Sequence, residues 1–169
     1  TLAKIADYFG VTVEDLLRDG ETETVTKQPS DTLYPLEGRD IHMIPLFESV
    51  SAGFGSLAVN DIVDYIPAYI PDAAEAKETL FIKVSGDSMS PKIENGDIIQ
   101  VHKQESVDSG SIAVVILDGE EGLVKRVIYG STWIELHSIN PMYKIQRFNG
   151  RDVLRVRVVG LVRKIIKDV

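Results

Sequence analysis

Cysteine is missing from all 169 residues, and with it go disulfide bonds, thiol nucleophiles and thiolate metal sites. Any nucleophile in this chain is therefore an oxygen or an amine, and the absence suits a reducing compartment. No run approaches the roughly 18 apolar residues that a membrane-spanning helix needs. The opening Thr1-Leu2-Ala3-Lys4 lacks the basic-then-apolar order of a secretory signal. The expected location is the cytoplasm, with no membrane partner. Positive charge is also scarce: a net charge of −8 tells against this stretch gripping DNA by itself, because such affinity comes largely from Lys and Arg neutralising phosphates. The three histidines, His42, His102 and His137, fall in no motif. There is no internal repeat and no low-complexity tract, and no metal or cofactor is implied.

What is present, 44% hydrophobic and 26% charged residues, can bury one core with a small appendage. Three zones separate by composition. In residues 1–19, Leu2, Ile5, Ala6 and Phe9 recur at helical spacing, Gly10 stops that helix, and Thr12 can cap a second short one through Leu16 and Leu17. Residues 20–42 are mostly polar, with Pro29, Ser30, Asp31, Pro35 and Gly38 and no sustained period, which marks a linker.

From about residue 43 to 169 short apolar runs alternate with turn residues. Leu80–Val84, Ile98–His102, Ile112–Leu117, Leu123–Ile128, Trp133–Leu136 and Val156–Val162 are rich in β-branched residues and too short for helices. Glu94-Asn95-Gly96-Asp97, Asp118-Gly119 and Tyr129-Gly130-Ser131 sit between them. Strands at this spacing predict a mainly β fold, a curled and mostly antiparallel sheet.

Three stretches carry candidate chemistry. Gly86-Asp87-Ser88-Met89-Ser90-Pro91 follows a strand end, so a hydroxyl at Ser88 stands where the chain bends, with a short helical turn expected to begin there. Backbone N–H groups at such a bend can hold an oxyanion, although a serine in a Gly-Asp-Ser turn is ordinarily a cap. On a two-residue period Lys125 shares a face with Leu123 and Val127, while Arg126 shares the other with Val124 and Ile128. A desolvated lysine can lose its proton near neutrality and an arginine cannot. The alternative for Lys125 is a stem lying over apolar surface on an edge strand. Third, Ala52-Gly53 ends an extended stretch from Ile44, and its small side chains let that bond bend into a narrow site, though the pair is also an ordinary turn.

Together, Ala52-Gly53, Gly86-Asp87-Ser88-Met89-Ser90-Pro91 and Leu123-Val124-Lys125-Arg126-Val127 occur in the order and approximate spacing of the LexA-like self-cleaving serine peptidases, and the chain resembles that family over about residues 43–169. The Ser-Met-x-Pro element alone is shared with type I signal peptidases. The resemblance implies that Ser88 is the nucleophile, Lys125 the general base, the amides of Asp87 and Ser88 the oxyanion donors, and Ala52–Gly53 the scissile bond of the same chain. Residues 1–17 are similar to the last two helices of a Cro/CI-type helix-turn-helix domain, whose recognition helix would precede residue 1.

On this resemblance the protein is expected to be a phage- or SOS-type transcriptional repressor, a homodimer through its C-terminal domain, with operator DNA bound through the N-terminal domain. A RecA filament on single-stranded DNA, or an antirepressor protein, would be the further partner. The apolar run Val156–Ile166 is long for a strand of a small monomer and adds to the expectation of a dimer. Two other roles remain: a non-cleaving dimerisation and antirepressor-binding module, and a translesion-polymerase accessory subunit of the same fold.

Overall fold

The computed structural model describes residues 40–48 and 62–167. The two expected helices within residues 1–17, most of the expected linker, and Ala52–Gly53 lie outside the described residues. Among the described residues nine strands form one sheet: β1 (Ile41–Phe47), β2 (Ile62–Tyr69), β3 (Thr79–Lys83), β4 (Ile98–Lys103), β5 (Ile112–Leu117), β6 (Glu121–Tyr129), β7 (Trp133–His137), β8 (Gln146–Asn149) and β9 (Val156–Ile166). Their order is β2-β1-β3-β4-β9-β5-β6-β7-β8. Every pairing is antiparallel except β1 with β3, which run parallel at Leu46↔Phe81 and Phe47↔Ile82. A one-turn helix α1 (Ala73–Lys77), capped by the Asp72 carboxylate on the Ala74 N–H at 2.8 Å, leads into β3. A 3₁₀ helix, Gly150–Arg155, leads into β9.

The uninterrupted apolar run of β5 follows from its place. Val114 and Ile116 pack in one core with Phe47, Leu80, Ile82, Met89, Ile93 and Ile99, whereas Ala113, Val115 and Leu117 pack in a second core with Val127, Ile134, Leu136 and Phe148. A strand that alternates its side chains between two dry faces can afford no polar position. β6 differs: Lys125 and Val127 are buried on one face, while on the other Arg126 is exposed and Val124 and Ile128 are half-buried, the facing of Lys125 and Arg126 expected from the alternation.

The long run Val156–Ile166 is spent inside the chain. β9 pairs with β4 from Ile98↔Ile166 to Lys103↔Gly160 and with β5 from Ala113↔Leu161 to Leu117↔Val156, with a register shift in each ladder. It joins the two halves of the sheet, so its length needs no partner subunit to explain it. At Gly160 a Cβ would stand 2.4 Å from the His102 carbonyl oxygen, so only glycine lets β9 approach β4 this closely.

Candidate active site

The turn that carries Ser88 leaves β3 through Val84 and returns at Asp97. The Val84 N–H donates to the Asp97 carbonyl at 2.8 Å, and the Gly96 N–H donates to the Val84 carbonyl at 2.8 Å. Gly86 has φ of +91, a left-handed conformation that a β-branched residue would hold only under strain. Its N–H is taken by Asn95 Oδ1 at 2.9 Å. The short helical turn expected near Ser88 takes the form of successive turns from Ser88 to Ile93, with Ser90 N–H on the Asp87 carbonyl at 3.0 Å and Ile93 N–H on the Met89 carbonyl at 3.0 Å. The segment is too short and too tied at both ends to propagate a helix. Met89 and Ile93 are 2% and 0% exposed, so Ser88 rides on two apolar anchors. Truncating a side chain so buried costs about 2–5 kcal/mol.

Ser88 is partly exposed and lines a cleft of about 120 Å³ with Glu48, Met89, Val114, Leu123 and Val124. Neither the Asp87 nor the Ser88 backbone N–H makes a hydrogen bond among the described residues, which leaves both donors available to an incoming oxygen. Lys125 is 7% exposed and lines an adjoining cavity with Leu123, Ser138, Tyr143 and Lys144. Leu123 lines both cavities. Opposite Lys125 in the ladder stands Ala113, whose small side chain leaves room for the lysine stem. Lys125 Nζ donates to the Ser138 hydroxyl at 3.0 Å and sits 5.4 Å from the centroid of the Tyr143 ring. Burial penalises an ammonium, while an aromatic face and a hydroxyl acceptor favour it.

Three residues that the sequence did not single out tie the two halves of this site together, all from the β7–β8 connection. The Asn140 N–H donates to the Ser88 carbonyl at 3.0 Å, and Asn140 Nδ2 donates to the Asp87 carbonyl at 3.1 Å. The Tyr143 hydroxyl donates to Asp87 Oδ1. That bond, followed by the charge of the Asp87 carboxylate, holds the Tyr143 phenol above its ordinary pKa, so it stays protonated and keeps donating into alkaline solution. Ser138 is the third, through Lys125.

The histidines lie elsewhere. Among the described residues none lines the cavity of Ser88 or that of Lys125. His137 Nε2 pairs with Glu135 Oε2 at 2.8 Å, in a cluster with Arg147, and Glu135 is held below its ordinary pKa chiefly by that bond. His102 Nδ1 is buried without a hydrogen-bond partner in the structure.

The family model described as Peptidase S24-like matches residues 45–163, and the chain belongs to that family. It is similar to the LexA repressor of Clostridium botulinum strain Hall, 33% identical over 131 residues, covering 77% of this chain and 64% of that one. It is also similar to the LexA repressor of Ruegeria sp., 27% identical with 78% and 55% covered, and to that of Lactobacillus delbrueckii subsp. bulgaricus, 36% identical with 71% and 58% covered. The chain thus spans between 55% and 64% of the length of these curated relatives. Among the described residues no helix is long and apolar enough to cross a membrane.

Proposed function

We propose that this chain is the self-cleaving part of a LexA-type transcriptional repressor, and that it cuts its own Ala52–Gly53 bond with Ser88 as nucleophile and Lys125 as general base. The observation that carries this reading is that Glu48, which follows β1 and is the last described residue before Ala52, lines the same cleft as Ser88. Ala52 follows four residues later, a reach of up to about 14 Å for extended chain, so the bond can be presented to the Ser88 hydroxyl without moving β1.

Neutral Lys125 takes the Ser88 proton as Oγ bonds to the Ala52 carbonyl carbon, and the Asp87 and Ser88 amides hold the oxyanion. Collapse breaks the bond to the Gly53 nitrogen, which receives the proton from Lys125. Water, losing a proton to Lys125, then attacks the ester carbonyl carbon; as the bond to Ser88 Oγ breaks Lys125 returns that proton to Oγ, leaving the Ala52 carboxyl group, which ionises, and Ser88 and Lys125 as they began. Because the substrate is tethered, the controlled quantity is how often its loop occupies the cleft. On the family likeness, a RecA filament on single-stranded DNA favours that docked state. The cut parts an N-terminal operator-binding domain, of which residues 1–19 are the tail, from a dimerising domain of residues 43–169. The repressor thereby loses the avidity of two linked half-site contacts.

The test is intact-mass analysis of the purified chain and its variants through an alkaline incubation. Ser88→Ala and Lys125→Ala abolish the cut while unfolding at or above the wild-type temperature, and Arg126→Ala, on the opposite face of β6, cleaves like wild type. If Lys125→Ala cleaves at the wild-type rate the dyad is wrong. If no variant and no wild type cleaves, the domain is a non-cleaving dimerisation and antirepressor-binding module.

A further inference from the structure

We propose that the cut leaves its two products joined: β1 stays seated between β2 and β3, and the N-terminal product comes free only when that strand is withdrawn. The place of the cut is taken from the Ala52–Gly53 reading above, and strand withdrawal is a second step that hydrolysis does not perform.

β1 ends at Phe47, upstream of Ala52, so it belongs to the N-terminal product, while both strands that it pairs with belong to the other. Its ladder with β2 runs from Ile41↔Tyr69 to Phe47↔Ile62, and just beyond it the Ile70 N–H donates to the Asp40 carbonyl at 2.8 Å. On its other edge Leu46 and Phe47 pair with Phe81 and Ile82 of β3. Its side chains are anchored as well: Phe47, Ile44 and Leu46 are 1%, 2% and 9% exposed. Phe47 lies in one core with Leu80, Ile82 and Met89, and Ile44 and Leu46 lie in another with Ile70, Ala76 and Phe81. Hydrolysis adds one water across Ala52–Gly53 and leaves a carboxylate and an amine. Main-chain hydrogen bonds and pockets for alternate side chains are what hold a separate strand in a sheet, and the cut removes neither.

Withdrawal is opposed a second time by the strand order. Among the described residues β2 stands at the end of the sheet and pairs with β1 alone. Once β1 leaves, β2 has no strand beside it and β3 loses its partner at Phe81 and Ile82. The downstream product must therefore rearrange as it lets go, which makes release a step with its own rate, separate from the chemistry. The avidity of two linked half-site contacts is lost at that step and not at the cut.

The experiment cuts the whole chain in two ways: wild type by alkaline incubation followed by return to neutral pH, and Ser88→Ala by a sequence-specific protease whose site is inserted between Ala52 and Gly53. Native mass spectrometry at micromolar concentration and hydrogen exchange of the β2 amides read both. The cut wild type should run as one species, one water heavier than the uncut chain, with β2 as protected as before, and denaturant should split it into two masses. Excess synthetic peptide of residues 40–52 should then displace the N-terminal product slowly. Phe47→Ala should speed that displacement about 100-fold. Met43→Ala, on the same strand but 59% exposed, should stay within about threefold of wild type. Thermal unfolding of the uncut variants checks folding, and if Phe47→Ala does not fold, Ile44→Val should speed displacement about 3- to 10-fold instead. Two separate masses and an unprotected β2 immediately after either cut would overturn the proposal, and if wild type had made that cut itself the dyad would stand. If wild type stays whole while the nicked Ser88→Ala holds together, the dyad falls and the retention of β1 stands.

Discussion

The turns at Gly86-Asp87 and at Asp118-Gly119 each pair an aspartate with a glycine in a left-handed conformation, and they are held in opposite ways. At Asp118-Gly119, with φ of +55 and +79, the chain reverses between β5 and β6 and closes on itself through Glu120 N–H on the Leu117 carbonyl at 3.1 Å. Asp and Gly both suit a turn whose two central residues have positive φ. Its added tie is Arg155, whose Nε and an Nη donate to the Asp118 carboxylate at 2.6 and 2.8 Å. At Gly86-Asp87-Ser88 the neighbours supply little, and the turn is braced by Asn95 and by Asn140 and Tyr143, 53 and 56 residues away from Asp87. A turn that only connects can be satisfied locally. One that holds two backbone amides open for the Ala52 carbonyl oxygen, as proposed here, must be supported from elsewhere, since its own donors are reserved.

If that difference is real, cutting the braces should damage chemistry at the Ser88 turn and cutting the tie at the Asp118 turn should not. The largest effect is expected from Asn140→Ala combined with Tyr143→Phe, which removes the side-chain grips on Asp87 and should slow self-cleavage about 100-fold. Tyr143→Phe alone, keeping the ring beside Lys125, should cost about 10-fold. Single-turnover rates from intact mass at a fixed alkaline pH measure both. Equal rates for wild type and the double variant would reduce the braces to decoration.

The smallest effect belongs to Asp118→Asn, which keeps a residue tolerant of positive φ and removes only the charge. Cleavage should be unchanged. In wild type the Arg155 guanidinium, through its hydrogen bonds and charge, holds the Asp118 carboxyl below its ordinary pKa. A carboxylate with a depressed folded pKa contributes stability above its unfolded value, near 4, and loses it as pH falls through the folded one. The small drop in unfolding temperature of Asp118→Asn at neutral pH should therefore vanish in strong acid. A deficit that persists there would assign the effect to the turn backbone instead of the ion pair.

The same contrast explains what could be read from the residues alone. The Asp118-Gly119 hairpin, the strand Ile112–Leu117 and the facing of Lys125 against Arg126 are local matters of turn chemistry and two-residue alternation, and all three were legible. So was the strand-to-turn setting of Ser88. β2 was not, because Pro67 interrupts its run, a residue an edge strand tolerates on its open side. β8 has four residues and buries only Phe148, too little for a pattern. Ser138, Asn140 and Tyr143 were invisible as site residues, since nothing in Ser138-Ile139-Asn140-Pro141 says which distant turn will come to lie against it. The run Val156–Ile166 does not by itself call for a partner subunit, because β9 pairs along its length with β4 and β5 of its own chain.

Everything proposed for this site depends on one covalent event. The direct test is the mass and N-terminal sequence of the fragments formed when the purified chain is held at alkaline pH. The account predicts a new N-terminus reading Gly53-Phe54-Gly55-Ser56, and a complementary fragment ending at Ala52. Cleavage at any other bond, or an intact chain throughout, would contradict it.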